Sequence, residues 1–162
     1  MSSVTKIFSV AGIAIILSVV AINASAQKND AKAAAVKALV DSSQHYTFYA
    51  TYVQPLTGTQ RYLTSEYTLS VSKDTIISYL PFFGRAFSGV GYGTGDDGIK
   101  FTSTKFEYKS SPGRKGSWDI SIKLKDAQNV QSVSMHISPG GNASVTVNSS
   151  NRDPVSYTGY VK

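Results

Sequence analysis

From Trp118 the chain alternates without a slip. Trp118, Ile120, Ile122 and Leu124 fall on one side, and Asp119, Ser121, Lys123 and Lys125 on the other. A repeat of two residues is the mark of a strand with one dry face and one wet face. A helix, with its period of 3.6, cannot bury that pattern along one stripe. Similar alternation recurs at Tyr67-Leu69-Val71, Val133-Met135-Ile137, Ala143-Val145-Val147 and Val155-Tyr157-Gly159-Val161. Turn formers stand between such runs: Gln54-Pro55-Leu56-Thr57-Gly58, Lys73-Asp74, Asp126 to Asn129, Pro139-Gly140-Gly141-Asn142 and Asn151-Arg152-Asp153-Pro154. Evenly spaced strands and short turns predict a mainly β domain. Its expected form is an antiparallel meander that packs as a sandwich or curls into a partly open barrel.

The first strand expected is Tyr46 to Val53, with Tyr46, Phe48, Ala50 and Tyr52 on one side. Thr75 to Tyr79 returns from the Lys73-Asp74 turn, and Pro81 ends that strand. Ile99 to Thr102 and Thr104 to Lys109 are extended, and Ser110 to Gly116 is read as a long hairpin turn. One short helix precedes all of this, over about residues 30–43. Val36, Leu39, Val40 and Ser43 share a face at helical spacing, and Lys37 and Asp41 form an i, i+4 pair on the other.

The first residues address the chain. Lys6 supplies a positive region, Ile7 to Ile22 is almost wholly apolar, and Ala24-Ser25-Ala26 offers small residues for cleavage. This is the build of a secretory signal peptide over residues 1–26, cut after Ala26. The apolar run falls short of the roughly 20 residues of a spanning helix. Residues 27–162 then form a single β-rich domain with no transmembrane span. The sequence contains no cysteine, so disulfides, thiolate metal sites, a cysteine nucleophile and an acylated lipoprotein cysteine are all excluded. A soluble periplasmic or secreted form is expected.

Net charge is +6, but charged residues make up only 16% of the chain and form no basic run. Nucleic-acid binding fits this poorly. Peripheral contact with an anionic envelope surface is compatible with it.

Few motifs carry chemistry. Gly93-Thr94-Gly95-Asp96-Asp97-Gly98 spells G-x-G-x-x-G, but the strand-like Ile99-Lys100-Phe101 follows where a phosphate-binding helix should start. Asp96 and Asp97 lack the alternating oxygen ligands of a calcium loop. His45 and His136, without a third ligand at a recognisable spacing, make no convincing metal site, and His136 reads as a surface residue. No serine elbow is present. No cofactor or catalytic residue is assigned.

The densest stretch is Tyr79-Leu80-Pro81-Phe82-Phe83-Gly84-Arg85-Ala86-Phe87. Arg85 sits among Phe82, Phe83 and Phe87, where its guanidinium can stack on a ring or fork onto a carboxylate. Tyr79, Phe82, Phe83, Arg85 and Phe87 are therefore the candidate ligand-binding residues. The competing reading makes the rings core and Arg85 a cap on loop carbonyls. Asp74-Thr75-Ile76 resembles an acceptor motif for O-glycosylation of exported proteins in Bacteroidota, with Thr75 as the attachment residue.

Several segments together resemble the domain-of-unknown-function family 4251. They are Leu69 to Ala86, Gly98-Ile99-Lys100-Phe101-Thr102-Ser103, Lys115-Gly116-Ser117-Trp118-Asp119-Ile120 and Ser149 to Tyr157. The resemblance spans about Phe48 to Val161, departs at the glycines of Gly89 to Gly98, and implies an exported domain of Bacteroidota. It brings no activity with it. The expected function is non-catalytic binding of an unknown ligand or envelope partner. The alternatives are a structural or assembly protein without a small ligand, and a hydrolase built on scattered carboxylates.

Overall fold

The computed structural model describes residues 30–87 and 98–162. The strands are β1 (Tyr46–Pro55), β2 (Arg61–Val71), β3 (Ile76–Leu80), β4 (Ile99–Ser103), β5 (Phe106–Pro112), β6 (Trp118–Leu124), β7 (Val130–Ile137), β8 (Asn142–Ser149) and β9 (Val155–Val161). They form one antiparallel sheet in the order β4-β3-β2-β1-β9-β8-β7-β6-β5, curled into a nearly closed barrel. Of the two architectures compatible with the sequence, the barrel is the one formed, and β1 pairs with β9, the first strand with the last, in the middle of its sheet.

The unpaired seam lies between strands that are neighbours in sequence. β4 pairs only with β3, and β5 only with β6. Eight antiparallel steps separate β4 from β5 around the sheet, so the two run in the same direction. Residues 99–112 are thus one stave in two halves, the first held by one edge of the sheet and the second by the other. Asp126 staples the corner between them. Its carboxylate accepts from the Ser103 hydroxyl and from the amides of Thr104 at 2.9 Å and Lys105 at 3.0 Å. These bonds, that from Ser103 first, hold the carboxyl at a pKa of about 2, below its usual range.

The interior holds one continuous hydrophobic core. Phe48, Leu69, Ile76, Leu80, Ile122, Ile137 and Tyr157 are fully buried and come from six different strands. Each such side chain contributes about 1.5–3 kcal/mol by leaving water. The alternation read from Trp118 to Ile122 holds residue for residue. A bulge between Ala50 and Tyr52 changes it on β1: Val53 takes the inward place and Tyr52 turns outward. Tyr52 was expected on the side of Tyr46 and Phe48, and the extra residue is the reason it is not. β2 starts at Arg61, earlier than the alternation shows, and β5 runs on to Pro112 before a short 3-10 turn, Arg114–Gly116.

Residues 30–37 are α-helical, and the helix widens into a π-turn over Ala38–Ser43. Val36 and Val40 are buried, and Lys37 pairs with Asp41 at 3.0 Å, as the spacing predicts. Gly159 lets β9 meet β1: a Cβ there would overlap the Tyr49 carbonyl. The closure ends on two backbone bonds, Thr47 to Lys162 at 2.9 Å and Lys162 to Thr47 at 3.0 Å.

Candidate functional site

Pro81 ends β3, and the chain then runs along one end of the barrel. The buried Tyr157 hydroxyl donates to the Pro81 carbonyl at 2.6 Å. Phe82 and Phe83 are half-buried against the core. Gly84 permits this fold-over, since a Cβ there would meet the Phe82 ring at 2.9 Å. The segment is sewn to the β8–β9 turn: Phe87 donates to the Asn151 carbonyl at 2.8 Å, and Asp153 to the Arg85 carbonyl at 3.0 Å, around a bridge between Ala86 and Arg152. Asn151 is buried beneath, and among the described residues its Oδ1 has no partner.

Two arginines meet these rings. Arg152 lies over Phe82 at 4.6 Å and Arg61 over Phe83 at 5.0 Å. The Arg85 side chain is exposed, and Phe87 is 66% exposed. The structure therefore brings Phe82 and Phe83 together with arginines from β2 and the β8–β9 turn. Arg85 and Phe87 face outward. Nothing local in the sequence links Arg61 or Arg152 to the Phe82-Phe83 pair.

Tyr79 leads to a second aromatic surface, on the outside of the barrel. Its ring stacks on Tyr67 at 5.7 Å, with the Lys100 ammonium 4.8 Å above it. Tyr49 stacks on Tyr160, its register partner across β1 and β9, at 5.3 Å and 12° between planes. The Lys162 ammonium lies 5.5 Å from the first ring and 5.2 Å from the second. Tyr52 meets Tyr62 edge-on at 5.2 Å. The bulge that turns Tyr52 outward makes this last pair, which strict alternation hides. Offset and edge-on rings of this kind hold one another in place with about 0.5–1.5 kcal/mol beyond area burial.

On the opposite side the outer face is rich in hydroxyls. Asp119 and His136 are register partners joined at 2.7 Å, and Ser144 follows His136 in the next strand. The order Asp-His-Ser is suggestive, but both members of the Asp119–His136 pair are more than half exposed. Among the described residues no hydrogen bond joins His136 to a serine. His136 is on the surface, as read from its strand. His45 is exposed, and among the described residues no group of three or more His, Asp or Glu side chains could hold a metal.

Thr75 is half-buried in the β2–β3 turn, where its carbonyl accepts from the Ser72 amide at 2.9 Å and hydroxyl at 2.7 Å. The hydroxyls of Ser72 and then Thr75 hold the Asp74 carboxyl below its usual range. Four concavities of the surface are lined by described residues, and Phe82, Phe83, Arg85 and Phe87 are not among those residues. The segment ending at Ala26 and most of the glycine motif, 93–97, lie outside the described residues.

Residues 27–161 match the family model described as a domain of unknown function, DUF4251. A solved structure of a DUF4251 family protein from Bacteroides eggerthii is similar to this one, with a TM-score of 0.54 and 20% identity. The similarity covers 82% of this chain and 85% of that chain. At that identity the likeness is one of fold. Comparison with curated proteins gives no match.

Proposed function

The chain belongs to the DUF4251 family, a domain of unknown function, and we propose that it is an exported, non-catalytic binding protein of the bacterial envelope. The partner is taken on the outside of the barrel, at Phe87 and Arg85 on the rim and at Tyr79 and the tyrosines beside it. One observation carries this reading. The interior is filled by its own side chains, while Phe87, Tyr62 and Tyr79 are held 66%, 63% and 48% exposed on a framework of stacked rings and bridged backbone. Aromatic surface kept in water by a rigid support is what a recognition face requires.

Export rests on Lys6, the apolar run Ile7 to Ile22 and cleavage after Ala26. Among the described residues no helix is long and apolar enough to cross a membrane. Asp119, Ser121 and Lys123 face outward on β6, opposite to the apolar exterior of a barrel that spans lipid. In this reading Thr75 is the attachment point for an O-linked glycan.

Native purification from the source cell tests the proposal. The mature N-terminus is expected at Gln27, and Thr75 is expected to carry the added mass of a glycan. Arg85→Ala and Phe87→Ser are expected to lose co-purifying material while unfolding at the wild-type urea concentration. An uncut N-terminus would overturn the export reading. Undiminished retention by both variants would overturn the rim as a contact site.

A further inference from the structure

We infer that the free edge of β5 is a contact site for a second copy of this chain, the two β5 strands pairing antiparallel about Tyr108. The first observation is an open backbone edge. β5 ends the sheet and pairs only with β6. Gly113 donates to the Ser117 carbonyl and Lys125 to the Lys105 carbonyl, each at 2.8 Å. Bonded and unbonded pairs alternate along an antiparallel ladder, so Lys105, Glu107, Lys109, Ser111 and Gly113 turn their backbone groups to β6. The amides and carbonyls of Phe106, Tyr108 and Ser110 face away, and among the described residues no hydrogen bond reaches them. From Lys109 to Pro112 the strand is exposed, Ser110 included, although it lies on the same side of the strand as the half-buried Tyr108. A row of unpaired backbone groups is a template for another strand.

The second observation is that this edge complements itself. Glu107 and Lys109 are exposed on either side of Tyr108. An antiparallel copy centred on Tyr108 sets Glu107 opposite Lys109 of the second copy, and Lys109 opposite its Glu107. Opposite charges facing each other across two strands stabilise the pair, and like charges there destabilise it. The same alignment lets Tyr108 exchange both backbone bonds with its counterpart, and Phe106 with Ser110, so every open edge group finds a partner. Glu107 already accepts from Lys125 at 2.7 Å through Oε1, and a carboxylate can accept at its other oxygen as well.

The third observation is that neighbouring alignments are worse. Centring the pair on Glu107 or on Lys109 sets like charges face to face. Centring it on Phe106 calls on the Thr104 amide, which already donates to Asp126 at 2.9 Å. Centring it on Ser110 brings in Pro112, which has no N–H to give. Charge in the middle of the strand and backbone chemistry at its two ends therefore select one register. The contact is two-fold and uses the same edge of each chain, so it closes with two copies.

The experiment is sedimentation equilibrium of the mature chain, from about 1 μM to about 1 mM. One pair of short strands belongs to the small, weak class of interface, so a dissociation constant of about 10–100 μM is expected. Lys109→Glu and Glu107→Lys should each raise it about tenfold or more by facing like charges across the contact. Both positions are exposed, and both variants should unfold at the wild-type urea concentration. Mixing the two variants should restore association, because each then meets the opposite charge on the other. Ser110→Pro removes a donor that β6 does not use and should weaken association as well. Amide exchange of Phe106, Tyr108 and Ser110 should slow as the concentration rises. A chain that stays monomeric throughout would overturn the inference. Association untouched by the charge reversals, or without slower exchange at those three amides, would place the contact elsewhere and overturn it too. Protection of those amides by a different co-purifying protein, with the pure chain monomeric, would give the edge to a foreign strand instead.

Discussion

Tyr157 and Pro81 are joined by a 2.6 Å hydrogen bond that runs from a fully buried side chain of the last strand to the residue ending β3. The bond anchors the rim from inside. Burial pushes the phenol's pKa well above its ordinary value, so it stays a donor at any physiological pH.

Tyr157→Phe keeps the ring and strands the Pro81 carbonyl. A loss of about 1–2 kcal/mol is expected from leaving that acceptor unmet, read as a lower urea midpoint. Amide exchange should quicken across residues 81–87, whose other backbone bonds among the described residues run to the Asn151–Asp153 turn. Unchanged exchange there would mean that the rim does not depend on Tyr157.

Gly159→Ala tests the closure. The new Cβ meets the backbone of Tyr49 and Ala50, which cannot rotate away as a side chain would. Overpacking of a fitted core costs about 1–3 kcal/mol, and this contact belongs at or above the upper end. Gly140→Ala is the control, because its nearest neighbour is the Ser138 hydroxyl at 3.9 Å. Similar unfolding midpoints for the two variants would contradict the close approach of β9 to β1.

The Asp126 staple has a direction in pH. Its folded pKa of about 2 lies below the ordinary 3.8, so its contribution is complete above pH 3.8 and is lost as the pH falls towards 2. Asp126→Asn should flatten stability against pH in that window and hasten exchange of the Thr104 and Lys105 amides. An acid transition identical to that of the wild type would remove Asp126 as the group responsible.

Strand content was legible wherever alternation was unbroken, and from Trp118 to the end of the chain nearly every inward residue could be named. The bulge at Ala50 and Tyr52 was not legible, because one extra residue has no sequence mark until the partner strand is known. That single shift moved Tyr52 from the expected core side to the tyrosine face. The phenylalanines of the rim were visible as a cluster, but their arginine partners were not. Arg61 and Arg152 reach Phe83 and Phe82 from distant parts of the chain, and only the closed sheet brings them near. The helix was readable in period, face and ion pair, though its widening into a π-turn was not.

Because β1 is held by β9, the barrel cannot be completed until β9 has been made. Every other pairing joins strands that follow one another within a few tens of residues, and such hairpins can form early. The Thr47–Lys162 bonds come last by construction. Until then the apolar face of β1 lacks its neighbour. The order of synthesis therefore acts as a timer, delaying the native state until β9 emerges.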